Sequence, residues 1–283
     1  MGRFLTGTRK RGIAGFGLEN HPAKRHHAVV SFNVMLKRFF EINRGLCKRI
    51  ESRLPQARIP IFRLYEKVVV GYMNARPNQI ILDIGGGASC PFAQYRDPRV
   101  NARIIAVDVS REALENNQDV DEKRVADVTQ DLPFGNGEVD LIVSRTVLEH
   151  LQNPEAFIGI ARRILKRNGY FITLFPSKFA PFAFLNVLLP EKVSTKLLSY
   201  FFPESRSLTG FPAFYEKCYY SAIKSLLEKH GFVTLDTYLS YYQSHYFRFF
   251  VPLFLASALY EILLQAFGAK DLCAYVLIVA RKK

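Results

Sequence analysis

From Gln79 to the end of the chain, short apolar runs alternate with segments whose apolar residues recur every three or four positions. Runs of the first kind read as buried strands and those of the second as amphipathic helices. Their strict alternation commits a chain to an α/β fold, a largely parallel sheet with helices on both faces. Strands are expected at Gln79–Ile84, Arg103–Val109, near Arg124–Asp127, Val139–Ser144, Tyr170–Phe175, Phe232–Leu239 and Leu272–Ala280. The helix between the fourth and fifth strands is the best marked. Asn153 suits an N-cap, Pro154 the first helical position and Glu155 the positive helix end, while Lys166 and Arg167 precede Gly169 at the other end. Ser110 is a second expected N-cap, after strand two.

Two stretches break the alternation. Residues 176–213 contain FAPFAFLNVLLP and KLLSYFF, and residues 243–268 contain YFRFFVPLFLASALYEILLQAF. The longest uncharged run, Phe249–Tyr260, has twelve residues. A membrane-crossing helix needs about twenty, so a hydrophobic lid, an interfacial helix or a core helix is expected there instead. Upstream, Met35, Phe39, Ile42, Leu46, Ile50 and Leu54 mark one face of a helix over Ser31–Leu54, ended by Pro55. We therefore divide the chain into a basic tail and amphipathic helix, residues 1–58, and a second domain, residues 59–283, carrying the inserts at 176–213 and 243–268.

Charge follows that division. Residues 1–78 hold 16 Lys and Arg against 4 acidic residues, whereas residues 79–283 hold 23 against 21. Almost all of the net +14 lies ahead of the alternating core. Such asymmetry points to an anionic partner, a membrane surface or a nucleic acid. The four cysteines are scattered without a C-x-x-C pair, which fits reduced thiols in the cytoplasm and gives no metal site.

The chemistry is concentrated in ILDIGGGAS. A buried strand runs directly into Gly85, Gly86 and Gly87, residues that accept unusual turn dihedrals and let backbone N–H groups approach a ligand. The turn stands at the C-terminal end of a strand, where open α/β sheets bind their ligands. Asp108, 23 residues beyond Gly85, ends strand two and can accept hydrogen bonds from both hydroxyls of a ribose. Asp127, in VADVTQDLPF, can accept from the exocyclic amine of an adenine. A nicotinamide dinucleotide would ask for G-x-G-x-x-G, but Cys90 and then Pro91 follow where the last glycine belongs.

With LDIGGGAS, IIAVDVS, VADVTQDLPF, VDLIVSRTVLEHL and ARRILKRNGYFI in this order, the chain resembles the class I S-adenosylmethionine-dependent methyltransferases. The likeness is greatest to the UbiE/COQ5-like group with its methyltransferase type 11 domain. Ser89 stands where that group usually has a third glycine. The resemblance implies a Rossmann-like, doubly wound sheet of seven strands, six parallel and the last antiparallel. It implies S-adenosyl-L-methionine as cofactor, with Asp83, Gly85, Gly86 and Gly87 at its methionine end. Asp108 and Val109 would hold the ribose and one adenine face, Asp127 and Val128 the adenine edge, and Ser144 and Arg145 the sulfonium and amino end. No metal is implied.

Methyl transfer from a sulfonium needs alignment of acceptor and methyl carbon, and a hydroxyl acceptor also needs a base. His150, in LEHL, is the candidate base, its rival reading being a structural ring that orients the loop before Asn153. Glu149 reads as a loop anchor. Tyr215, Tyr219 and Tyr220 can reach an acceptor pocket but also suit packing. The apolar inserts suit a small-molecule, lipid or lipid-linked glycan acceptor. Together with the basic helix, they suit a cytoplasmic enzyme held peripherally on the inner, anionic membrane face. The alternatives are a nucleic-acid methyltransferase using the basic N-terminus and a non-catalytic cofactor-binding module. Against nucleic acid, SRTVLEHL replaces the N/D-P-P-Y/F type of segment that acts on base amines, and no RNA-binding motif is visible. Nothing in the pattern fixes an oligomeric state.

Overall fold

The computed structural model describes residues 22–54, 60–188 and 212–283, with side chains described except at 22–33 and 185–188. The expectations for the first 21 residues, the helix stop at Pro55 and the KLLSYFF segment lie outside these residues. Helix α1 spans Pro22–Glu51, starting earlier than its apolar periodicity suggests. The described residues fall into two compact units that divide after Ile42. Three contacts explain why Asn43–Leu54 goes with the larger unit. Asn43 Oδ1 accepts from Val251 N at 3.0 Å, Glu51 pairs with Arg248, and Cys47 packs with Phe247 and Phe254. In the smaller unit, Phe39 meets Phe40 edge to face at 5.6 Å.

The larger unit continues with α2 (Ile61–Met73), β1 (Ile80–Ile84), β2 (Arg103–Asp108), α3 (Arg111–Asn116) and β3 (Glu122–Val125). Next come β4 (Val139–Arg145), α4 (Pro154–Ile164), β5 (Leu165–Pro176) and α5 (Pro181–Leu188). The chain closes with α6 (Tyr220–Lys229), β6 (Phe232–Ser240), α7 (Val251–Ala266) and β7 (Tyr275–Lys282). The sheet order is β3-β2-β1-β4-β5-β7-β6. Pairing is parallel from β3 to β5, and β7 runs antiparallel to both β5 and β6. Six strands thus share one direction, and the last reverses, as the resemblance implies.

Alternation along each strand makes two cores. Leu82, Ile84, Ile105, Val107, Ile142, Phe171 and Ile278 face α4 and α6, where Phe157, Ile158, Ile164, Ile223 and Leu227 complete the layer. The intervening residues, including Ile81, Ile104, Leu141, Val143, Ile172 and Leu277, face Ile61, Tyr65, Val69 and Met73 of α2. Phe157 is fully buried against Phe171, so Phe157→Ala is expected to cost about 3–5 kcal/mol.

Both expected caps are made: Ser110 Oγ accepts from Ala113 N and Asn153 Oδ1 from Ala156 N, each at 3.1 Å. The end of α4 differs from expectation. The helix stops at Ile164 and Leu165 already pairs with Val139, so Lys166 and Arg167 belong to β5. Lys166 Nζ instead donates to Asp140 Oδ2 at 2.7 Å, and the same oxygen accepts from Ile80 N at 2.9 Å. Register slips between Val139 and Leu141, where Asn168 takes φ +62°. At Gly169 a Cβ would approach Lys166 O to 2.9 Å, so this bulge needs its glycine. β3 ends at Val125, leaving Asp127 in the following turn, and β7 starts at Tyr275 because residues 270–272 form a helical turn.

Candidate active site

The carboxyl edge of β1, β2 and β4 gathers the residues singled out above. Gly85 (φ +70°) and Gly87 (φ +47°) occupy the left-handed region, and the N–H groups of Gly85 and Gly86 both donate to Val107 O, at 2.8 and 3.3 Å. A Cβ on Gly85 would lie 2.4 Å from Val147 Cγ2, and one on Gly86 2.7 Å from Ala106 Cβ. Only glycines let the turn fold this closely onto β2 and the β4 loop.

Asp108 holds the turn from the next strand: Oδ2 accepts from Gly87 N at 3.0 Å and Oδ1 from Ser110 N at 2.9 Å. A carboxylate oxygen has a further lone pair, so both can still receive ribose hydroxyls. Asn117 also supports the turn, a role its place in the sequence does not single out. It is fully buried, and its Nδ2 donates to Gly86 O at 3.0 Å and Gly87 O at 3.2 Å. Its Oδ1 accepts from Asp119 N at 3.1 Å, and Asp119 Oδ2 accepts from Cys90 N at 2.8 Å. The Asn-Gln-Asp run directly after α3 is the signal that turn chemistry is concentrated there.

Ala126 N donates to Asp108 O at 3.1 Å, which draws the turn bearing Asp127 to the same edge. Asp127 Oδ1 accepts from Thr129 N at 2.8 Å and Thr129 Oγ1 at 2.7 Å. These bonds hold its carboxyl below the usual carboxylate range. Val109 is exposed on this edge and Val128 is buried.

At the other end of the turn, Asp83 is almost fully buried. Burial pushes its carboxyl up to about 7, against the lowering effect of a hydrogen bond with the Cys90 thiol and of Arg145. The Tyr65 hydroxyl, buried by α2, has no partner, and burial followed by the charge of Asp83 raises its pKa. Arg145 reaches Glu66 Oε1 at 3.4 Å. An orphaned hydroxyl beside a carboxyl and a guanidinium fits the zwitterionic amino-acid end of a ligand, which brings its own donors and acceptor. Ser144, expected beside Arg145, is fully buried, and its Oγ donates to Thr173 Oγ1 at 2.9 Å, within the sheet.

After β4 the chain turns sharply. Thr146 takes φ +55°, an uncommon conformation for a β-branched residue, and residues 148–150 form a helical turn. His150 Nδ1 lies 3.0 Å from Pro212 O. A carbonyl only accepts, so Nδ1 carries the proton and Nε2 is the basic nitrogen. Glu149 points inward with 5% exposure, and its Oε2 has no partner. Burial pushes this carboxyl up to about 8. Its backbone O accepts from Phe214 N at 2.8 Å and Tyr215 N at 3.0 Å. Tyr219 packs on Phe179, and Tyr220 lies under Lys270. Farther along the same edge, Tyr246 and Tyr275 share a 2.6 Å hydroxyl contact beneath Phe182. Gln243 beside them is fully buried with neither side-chain polar atom paired.

Residues 82–173 match the family described as the methyltransferase domain. An uncharacterised 37.1 kDa protein of a Streptomyces fradiae transposon is 28% identical over 114 residues, 38% of this chain and 33% of its own length. An uncharacterised protein of Methanocaldococcus jannaschii is 38% identical over 68 residues, 24% of this chain and 33% of its own. The chain thus spans about a third of the length of these curated relatives. Among solved structures, the geranyl diphosphate C-methyltransferase of Streptomyces coelicolor is similar at 13% identity and TM-score 0.49, over 78% of this chain and 79% of that one. The phosphoethanolamine N-methyltransferase 2 of Haemonchus contortus is similar at 14% identity and TM-score 0.48, over 78% and 52%. Likenesses at this level say nothing of the acceptor.

Proposed function

We propose, from the premise that residues 82–173 are a class I S-adenosylmethionine-dependent methyltransferase domain, that the chain methylates a small or lipid-like acceptor. The observation that carries this reading is the glycine turn bonded to Asp108, with a zwitterion-compatible cluster at its other end. Asp83, Gly85, Gly86 and Gly87, with Tyr65 and Arg145, hold the methionine end. Asp108 and Val109 hold the ribose and one adenine face, and Asp127 and Val128 the adenine edge. Ser144 acts through the sheet, by fixing β4 against Thr173. When bound, the cofactor supplies a methyl group on a positively charged sulfur. His150 Nε2 is positioned as the base for an acceptor hydroxyl, its ring held by the Pro212 carbonyl.

A second observation favours an apolar acceptor reached from an anionic membrane face. On α7 the side chains of Leu253, Leu255, Leu259, Ile262 and Leu263 are exposed, and Phe267 beyond its end is 81% exposed. The sole charge of that helix, Glu261, is fully buried. Lys48 and Arg49 in the last turn of α1 and Arg53 just beyond it are exposed, and each adds about 1 kcal/mol of attraction near anionic lipid. Among the described residues, no helix is long and apolar enough to cross a membrane.

Calorimetry with S-adenosylmethionine and its demethylated product tests the first reading, and binding of neither would end it. Co-sedimentation with anionic against zwitterionic vesicles tests the second. Equal recovery from both, or none from either, would remove the membrane face. Salt-sensitive retention on RNA or DNA in its place would favour the nucleic-acid alternative.

A further inference from the structure

The β4 loop places Glu149 two residues beyond Val147, which abuts Gly85 of the cofactor turn. Three parts of the fold meet at Glu149. Tyr215, in the segment before α6, donates its N–H to the Glu149 backbone O, and near the carboxyl lie Cys218 of the same segment, Tyr246 from the helical turn after β6 and Tyr275 from the start of β7. The Cys218 thiol and the hydroxyls of Tyr246 and Tyr275 all feel the charge of Glu149. Each of these groups is neutral or a potential anion. Lys178 acts on Cys218. Burial alone governs the carboxyl, opposed only by its own backbone N–H. An acid walled in this way, with Oε2 unpaired, is out of place in a resting core.

We propose that Glu149 is the counter-charge for the cofactor's sulfonium and the final acceptor of the proton released in methyl transfer. This rests on the methyltransferase reading and adds a group to its chemistry. In the resting chain Glu149 is a neutral acid. Arrival of a permanent positive charge favours the carboxylate, so Glu149 releases its proton to solvent. In the transfer step the acceptor's lone pair forms the bond to the methyl carbon. The carbon–sulfur bond breaks with its electrons left on sulfur, and the acceptor's X–H proton goes to Glu149. One positive and one negative charge enter the step, and three neutral species leave it. The interior therefore carries no net charge before or after. Once sulfur is a neutral thioether, nothing holds the carboxylate ionised, so proton affinity rises at the moment a proton must be taken. Where the acceptor is a hydroxyl, His150, in the same turn, takes its proton first and returns to the neutral ring as the proton passes on, so that Glu149 is the final acceptor.

The test compares two ligands that differ by one methyl group and one charge. S-adenosylmethionine and S-adenosylhomocysteine carry the same adenosyl, carboxylate and ammonium groups. Any response of Asp83 to the ammonium is therefore common to both and cancels. Titration calorimetry of the full chain at pH 7, in buffers of different ionisation heat, counts the protons released. Most of one proton should leave on binding S-adenosylmethionine beyond whatever leaves with the homocysteine ligand. Glu149→Gln should abolish that difference, with affinity for the homocysteine ligand kept within about twofold. Should the variant fail to fold, the wild-type chain suffices. The ratio of the two affinities should shift toward the sulfonium ligand by roughly tenfold per pH unit below the carboxyl's ionisation. Equal proton release by both ligands, a flat ratio between pH 6 and 8, or a Glu149→Gln variant that still shows the difference would overturn the assignment. If neither ligand binds the wild-type chain, the methyltransferase reading falls and takes this one with it.

Discussion

Apart from the Tyr65 hydroxyl, the two halves of the sheet edge treat their polar groups in opposite ways. On the β1–β3 side, Asp108, Asn117, Asp119 and Asp127 each make side-chain hydrogen bonds to nearby backbone. Beyond β4, Oε2 of Glu149 and both side-chain polar atoms of Gln243 lie buried and unpaired, and so does Nδ1 of His245, whose ring burial pushes down to about 3. Satisfied groups are cheap to bury and make a rigid cradle. Unsatisfied groups cost stability until something enters to meet them. On the function proposed above, the contrast separates a preformed cofactor half from an acceptor half whose polar groups await a partner.

The largest effect that sharpens this contrast is a pH dependence of stability. Glu149 is raised from its unfolded value near the usual glutamate range to about 8. The folded chain therefore holds its proton over a range in which the unfolded chain has lost it. The stabilising contribution is complete below the unfolded value and disappears as pH rises toward 8. The slope is about 1.4 kcal/mol per pH unit, so urea midpoints should fall between pH 5 and 8 for wild type and stay flatter for Glu149→Gln. Parallel curves would break the idea of an uncompensated acid. Gly86→Ala comes next. Its methyl would press on Ala106 and the Asp83 carbonyl, costing about 1–3 kcal/mol in thermal unfolding and weakening cofactor binding. An unperturbed variant would mean that the cradle is looser than its contacts indicate.

Asp108→Ala removes the acceptor for Gly87 N and Ser110 N together with the proposed ribose partner. Affinity for S-adenosylhomocysteine should drop by roughly tenfold to a hundredfold, equivalent to about 1.5–3 kcal/mol. Unchanged calorimetric affinity would displace the ribose from this residue. The smallest effect on the fold is expected at Leu259, which is 58% exposed on α7. Leu259→Ser should leave unfolding within about 0.5 kcal/mol of wild type while reducing recovery with anionic vesicles. Undiminished vesicle binding would move the proposed membrane face elsewhere.

The β1–β3 side of the edge is far more legible in the sequence than the side beyond β4, for a physical reason. The glycine turn, Asp108 and the caps at Ser110 and Asn153 act through backbone a few residues away or through the end of an adjacent strand. Local spacing therefore reports on them. β3 was blurred because its residues alternate between half-buried and exposed and carry charge, so no apolar run marks its end. The α4–β5 junction was misplaced because Lys166 and Arg167 imitate helix-end cations, whereas Lys166 is bound to Asp140 on β4. Ser144 looked available at a strand end, but its direction depends on Thr173, 29 residues away. The isolation of Glu149 was invisible because it arises from loops that converge only in three dimensions.

All four cysteines are buried, at Cys47, Cys90, Cys218 and Cys273, and their surroundings raise every thiol above its ordinary pKa. Since only the exposed thiolate reacts, an alkylating reagent must wait for the chain to open around each sulfur. The molecule thus carries four silent clocks. One ticks behind the glycine turn, two under the acceptor loops and one beside α7, so mass-resolved labelling would time each region's opening without any engineered probe.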